Sequence, residues 1–304
     1  MTTQRSLSSR TWAELFLLAL IWGGSFLSIR LALNEVSFVT AVAHRVFWAA
    51  VILWGYVALR RLPLPRDPKV WGALFVMGLL NNVIPFSLMA WGQLHIPTGL
   101  TSVFNAGTAV FGVVIAALLL SDERLTPRKI IGSAIGFFGV ATAIGLDALR
   151  NFDITSLAQL AVICGTISYA FAGVWARLKL AELTPQVAAA GMLTGSSLVM
   201  APAAFVIDGV PSVDLSLTAI TAIGYYVVFA TAGAYLLYYR ILAAAGSANT
   251  MIVTLLIPPV SILLGAMVLD EVLSPNVYAG LFLLAIGLII LDGRILRRRA
   301  ARPA

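Results

Sequence analysis

Asp122-Glu123-Arg124-Leu125-Thr126-Pro127 closes one long apolar run, and Asp270-Glu271-Val272-Leu273-Ser274-Pro275 closes another 148 residues later. In both copies an acidic pair ends an apolar segment and a proline opens the next one. A match of this length between the halves of one chain implies duplication, and composition says what was duplicated. Of the 304 residues, 60% are hydrophobic and 11% charged, whereas soluble domains carry about 25% charged residues. Such a chain cannot cover itself with a charged surface, so lipid is the expected neighbour. The net charge of +7 does not indicate a nucleic-acid partner, because the basic residues fall in short loops rather than along one face. The single cysteine, Cys164, excludes an intrachain disulfide and a cysteine metal site.

A membrane helix needs about 20 mainly apolar residues. Segments of that kind lie near 11–33, 38–59, 70–92, 97–121, 128–146, 156–178, 186–207, 216–241, 246–269 and 276–295. Pro63, Pro65, Pro97, Pro127, Pro185, Pro211 and Pro275 mark breaks between them. The first run is too long for a secretory signal and is read as a retained helix. With the N-terminus in the cytoplasm, all of the 20 Lys and Arg except Arg30, Arg45 and Arg150 fall in cytoplasmic loops and tails. The expected fold is an all-α integral membrane protein of ten helices, with both termini cytoplasmic.

The repeat extends beyond its acidic marker. At an offset of 147, Arg30 meets Arg177, Ser37 meets Thr184, Trp22 meets Tyr169 and Ser25 meets Ala172. At 148, Gly132 meets Gly280 and Gly139 meets Gly287. Residues 1–148 and 149–304 each hold five expected helices. Five is odd, so the second half enters the membrane from the opposite face. The two acidic pairs then lie on opposite sides of the bilayer and cannot form one site. Each is expected to end a helix sharply, with its acid near the free N–H groups of the helix that follows. Inverted repeats suit a secondary transporter whose substrate site lies near the midplane.

Trp22-Gly23-x-Ser25-Phe26 in the first helix, Arg45 in the second and Glu-x-Leu-Ser/Thr at Glu123 and Glu271 resemble the drug/metabolite transporter superfamily, in its EamA-like ten-helix branch. Within it the chain is most similar to the YddG-type exporters of aromatic and other neutral amino acids. That resemblance implies a multi-pass carrier of the bacterial inner membrane. It would export an amino acid through a cavity formed by both halves.

The residues themselves exclude several chemistries. There is no phosphate-binding Gly-x-x-x-x-Gly-Lys-Ser/Thr loop, no metal-ligand spacing and no convergent nucleophile set. No catalytic residue, metal or cofactor is expected, and an enzyme is disfavoured. Polar groups at mid-helix carry the reading, because hydrocarbon penalises them. Asn81 and Asn82 lie about 100° apart on a helix, so at most one points straight into a cavity while the other bonds a neighbouring helix. Pro85 frees a carbonyl one turn back, at Asn81. Trp22 and Ser25, with Gly23 and Gly24, either line the cavity or let helices pack closely. Tyr169, Asn105, Tyr225 and Thr254 are further candidates. Pro258-Pro259 is expected to break its helix and leave carbonyls free. Tyr238 and Tyr239 suit an interfacial belt. His44 and Arg45, about 10 Å below the far surface, are candidate vestibule groups, with Arg45 attracting a carboxylate or snorkelling outward. No Asp or Glu lies at a helix midpoint, which argues against carboxylate-mediated proton antiport. The glycine stripes around Gly132 and Gly280 suit packing within the chain or a homodimer. Broad drug efflux and a non-transporting receptor or scaffold stand as alternatives.

Overall fold

The computed structural model describes residues 8–121, 126–145, 153–212, 214–245 and 253–292. Among them there is no strand. The helical runs are α1 (Ser9–Ala32), α2 (Phe38–Leu59), α3 (Pro68–Gly92), α4 (Thr98–Leu119), α5 (Pro127–Ile144), α6 (Ile154–Lys179), α7 (Pro185–Ile207), α8 (217–245), α9 (Val253–Leu269) and α10 (Pro275–Asp292). Seven of them, α1–α4 and α6–α8, are long and apolar enough to cross a membrane. Shorter apolar stretches, Leu256–Leu269 and Pro275–Ile290, lie in α9 and α10. Pro68, Pro127, Pro185 and Pro275 each open a helix, where the missing N–H costs nothing. Ser8, Ser37, Asp67, Thr126, Asp153 and Ser216 cap their helices by accepting from N–H groups of the first turn.

Packing pairs elements from the two halves. α2 lies against α7, α5 against α10 and α4 against α9. α1 packs on α8 and α9, and α6 packs on α3 and α4. Exchanging α1–α5 with α6–α10 leaves this set of pairs unchanged. The glycine stripes obey the same exchange. A Cβ on Gly139 would sit 2.8 Å from the Gly280 carbonyl oxygen and 2.6 Å from the Leu284 nitrogen, and one on Gly287 would sit 2.7 Å from the Gly132 carbonyl oxygen. The 148-residue offset turns the first glycine pair into the second. The stripes are therefore used inside the chain, between α5 and α10, where small residues let two backbones approach.

Three expectations about the backbone are corrected. First, α9 runs continuously through Pro258 and Pro259. Gly23 of α1 seats against it there, with Val260 side-chain atoms 2.6 Å from where a Cβ would stand. The irregular backbone lies elsewhere, in π-helical segments at Leu79–Val83 of α3 and Tyr225–Gly233 of α8. At the 147-residue offset, 79–83 corresponds to 226–230, inside the second segment. Second, in π register Pro85 deprives the carbonyl five residues back, at Leu80, rather than the one at Asn81. Ser168 of α6 donates its hydroxyl to that oxygen at 2.7 Å. Third, the acidic pair at Asp270-Glu271 ends α9, with Asp270 at a φ of 53°, but Glu271 does not serve the helix that follows. It accepts from Thr98 N–H at 2.8 Å, Thr98 Oγ1 at 2.8 Å and Gly99 N–H at 3.2 Å, so it caps α4. The Asp122-Glu123 pair lies outside the described residues.

Candidate functional site

The two π segments bring the buried polar side chains together. In an α-helix, residues five apart point about 140° from each other; in a π turn they lie on one face. Tyr226 and Thr231 of α8 are such a pair. Thr231 donates its hydroxyl to the Tyr226 carbonyl at 2.7 Å. On facing α2, Ala41 and Arg45 are one α-turn apart. The Tyr226 hydroxyl donates to the Ala41 carbonyl at 3.2 Å, and Arg45 Nε donates to Thr231 Oγ1 at 3.0 Å.

Arg45 is buried, 8% exposed, so it neither snorkels nor stands at an open vestibule. Its guanidinium lies 4.0 Å over the Phe86 ring, a cation–π arrangement. Tyr169, Tyr226 and Tyr235 are close enough to interact with its charge. No carboxylate among the described residues lies within salt-bridge distance of it. A narrow crevice lined by Ile29, Ala41, Val42, Arg45, Phe86, Ala90 and Tyr226 reaches the guanidinium. His44, paired with Arg45 in the sequence reading, points elsewhere: its Nδ1 accepts from the indole of exposed Trp48 at 3.2 Å. Neighbours along a helix diverge by about 100°, which separates them.

One turn along α3 from Phe86 stand the two asparagines. Asn82 is fully buried. It donates to Ser196 Oγ of α7 at 2.9 Å and accepts from the Tyr235 hydroxyl at 3.2 Å. Asn81 also reaches Tyr235, its Nδ2 lying 3.2 Å from the hydroxyl oxygen, and lies 3.7 Å from Met192 Sδ. The π turn lets both carboxamides meet one tyrosine, which the α-helical angle did not allow for.

The remaining candidates divide. Trp22 donates Nε1–H to the Ala230 carbonyl at 3.2 Å, and its ring lies 5.7 Å from that of Tyr238. The Tyr239 ring lies 6.5 Å from that of Tyr235 and 5.4 Å from that of Tyr238, so both continue the aromatic group. Tyr169 packs edge-on to Phe86 at 6.5 Å. Ser25 is buried and donates back to the Trp22 carbonyl at 2.7 Å. Tyr225 turns away from the group: its hydroxyl donates to the Ile21 carbonyl at 3.1 Å and fills the space left by Gly24. Asn105 is half-buried two residues before the break at Gly107, and Thr254 is half-buried at the start of α9. Among the described residues, no hydrogen bond joins Asn105 to the asparagine group. Pro258 is buried within α9. The sequence reading missed Tyr235, Thr231, Ser196 and Phe86. A signal was present, since Thr231, Tyr235, Tyr238 and Tyr239 fall at i, i+4, i+7 and i+8 and share one face.

The group is neutral apart from one cation, and it joins side chains of both halves. It can offer a guanidinium to an anion, carboxamide and phenol oxygens to an ammonium, and aromatic surface to an apolar side chain.

Sequence comparison matches the EamA-like transporter family twice, over residues 11–145 and 156–291. The chain belongs to this family. It is a multi-pass membrane transporter, related over nearly its whole length to bacterial efflux proteins. A "probable terminal-alkyne amino-acid exporter" of Streptantibioticus cattleyicolor is 27% identical, covering 98% of this chain and 98% of that protein. A "probable amino-acid metabolite efflux pump" of Escherichia coli is 23% identical, covering 90% and 92%. One solved crystal structure superposes with a TM-score of 0.68 at 18% identity, covering 97% of this chain and 99% of that one. At that identity it shows a shared fold alone.

Proposed function

We propose that this EamA-family chain exports small zwitterionic metabolites, neutral and aromatic amino acids foremost, across the bacterial inner membrane by alternating access. In this reading α1–α10 all cross the bilayer as two inverted five-helix repeats with both ends in the cytoplasm. The exchange of helix pairs and glycine contacts between halves supports the repeat. The observation that carries the cargo is Arg45, a buried guanidinium with no carboxylate among the described residues to neutralise it. Burying an uncompensated charge is costly. An α-carboxylate entering the crevice would relieve that cost by a charge-assisted bond. The ammonium then falls to the Asn81, Asn82 and Tyr235 oxygens, and the side chain to Phe86, Tyr169 and Trp22. Export of amino-acid metabolites by the relatives named above agrees with this direction.

The test is flux in liposomes carrying the purified protein, with labelled amino acids and their decarboxylated amines, with and without a pH gradient. Amino acids are expected to move, and their amines to move at least tenfold more slowly. Arg45→Met should abolish the difference. Equal flux of acids and amines would favour the broader efflux reading, which the aromatic group of Trp22, Tyr235, Tyr238 and Tyr239 also suits. Flux of neither defeats the proposal. Accumulation against a gradient only when a pH gradient is applied would defeat uncoupled transport.

A further inference from the structure

The end of the bundle where α1 finishes holds three carboxylates that share one arrangement. Glu35, in the turn after α1, accepts from the backbone N–H of Ser216 at 2.8 Å and from its hydroxyl, at the start of α8. Asp208, at the end of α7, accepts from Thr40 Oγ1 at 2.6 Å and from the Ser37 hydroxyl, at the start of α2. Glu271, after α9, accepts from Thr98 and Gly99 at the start of α4. In each case the acid comes from one half and the helix start from the other. Helix N-termini offer free N–H groups and partial positive charge. These are local bonds, yet together they tie the halves at one end only.

Among the described residues, the repeat does not reproduce the Glu35 and Asp208 contacts at the opposite end; Glu123, the counterpart of Glu271, lies outside them. At the 147-residue offset, Asp208 corresponds to Arg61, which cannot accept a hydrogen bond. Ser37 corresponds to Thr184, whose hydroxyl is buried without a partner and caps nothing. Glu35 corresponds to Glu182, which is exposed. At that end an ion pair of another kind joins the halves. Glu14 of α1 meets Arg240 of α8 at 2.9 Å, with Arg10 at 3.1 Å.

We propose that Glu35, Asp208 and Glu271 form the outer latch of this carrier. They hold the far end shut by docking each half's acids onto the other half's helix starts, and outward opening requires their release. Glu35, Asp208, Ser37 and Ser216 are exposed, so their bonds are weak enough to break within a transport cycle, while Thr40 and Thr98 are buried beneath their acids. Three in parallel bias the equilibrium, and among the described residues those of Glu35 and Asp208 have no inner copy. The inference rests on alternating access, but its first test needs no cargo.

Cys164→Ser removes the native thiol, and Ala90→Cys places one in the crevice behind the latch. Labelling is then followed from outside the cell with a membrane-impermeant thiol reagent. Combining Glu35→Gln, Asp208→Asn and Glu271→Gln should speed labelling about tenfold, with single variants in between. An unchanged rate in a triple variant that keeps its melting temperature overturns the latch. A second arm covers a triple variant that fails to fold. Glu35→Cys with Ser216→Cys is bridged by a short reducible bis-thiosulfonate. Flux is expected to stop and to return on reduction; flux that continues through a bridge verified by mass overturns the latch. A wild type that labels as expected but moves no amino acid defeats the cargo reading and leaves the latch standing.

Discussion

Asn82 shows how the sequence signal and the structure relate at the level of one residue. A carboxamide at mid-helix is costly in hydrocarbon, so it must be satisfied or functional. Here it is fully buried and bonds Ser196 and Tyr235, on two helices of the other half. Asn82→Ala leaves both partners short of a bond and should lower stability by about 1–2 kcal/mol, read as a drop in thermal midpoint in detergent. Asn82→Ala with no loss of midpoint would mean the contact is not held in the membrane protein. Outside the membrane, Glu35 and Asp153 are the titrating groups with a clear direction. Hydrogen bonds from the Ser216 hydroxyl and N–H hold the Glu35 carboxyl below its ordinary 4.5. The Ser156 N–H does the same for Asp153, ordinarily 3.8. Because the folded value is the lower one, the stabilisation is present above the ordinary value and is lost as pH falls through the folded value. Melting temperature should therefore fall with acidification below 4.5, and Glu35→Gln should flatten part of that slope. An identical slope in Glu35→Gln would remove Glu35 from the account.

At the level of elements, helix starts were legible and helix interiors were less so. Pro127, Pro185 and Pro275 open helices as the sequence reading has them, because proline at a first turn leaves a plain mark. The π segments left none. Asn81 and Asn82 stand out in Leu79–Val83 by polarity, but nothing there or in Tyr225–Gly233 announces a π turn, and the extra residue per turn is a response to facing helices. Tyr225, at the start of the π turns, bonds the Ile21 carbonyl, and Tyr235, beyond them, meets the asparagines. Arg45 was placed on the correct helix but too near water, since depth can be counted from a helix end while burial depends on partners. The glycine contacts give a sharp test of α5 on α10. Gly139→Ala drives a Cβ into backbone atoms of α10 and should cost several kcal/mol, on the order of an overpacked core. Gly173→Ala on α6 meets nothing within 4 Å and should stabilise by up to about 1 kcal/mol through helix propensity. The two midpoints, measured together, are expected to move in opposite directions; parallel shifts would argue that α5 and α10 do not meet through these glycines.

Across the whole molecule, one set of contacts is symmetric and another is not. Helix pairs exchange cleanly between halves, which suits a carrier that must present similar walls to two sides. Among the described residues the fastenings of Glu35 and Asp208 do not exchange: they dock on helix starts at one end, whereas an Arg10–Glu14–Arg240 cluster stands at the other. If the two ends compete for one equilibrium, weakening the inner fastening must act opposite to weakening the outer latch. Glu14→Gln removes the charge that Arg240 meets at 2.9 Å and leaves the carboxamide able to fill the same space. In the Cys164→Ser, Ala90→Cys background it should slow outside labelling by a few-fold, the size expected of one partly exposed ion pair. Adding Glu14→Gln to the triple latch variant should return labelling toward the wild-type rate, because both ends are then released. Independent ends would instead leave the triple variant's fast labelling untouched, and that outcome would show that the cluster at Glu14 stabilises α1 on α8 without taking part in gating.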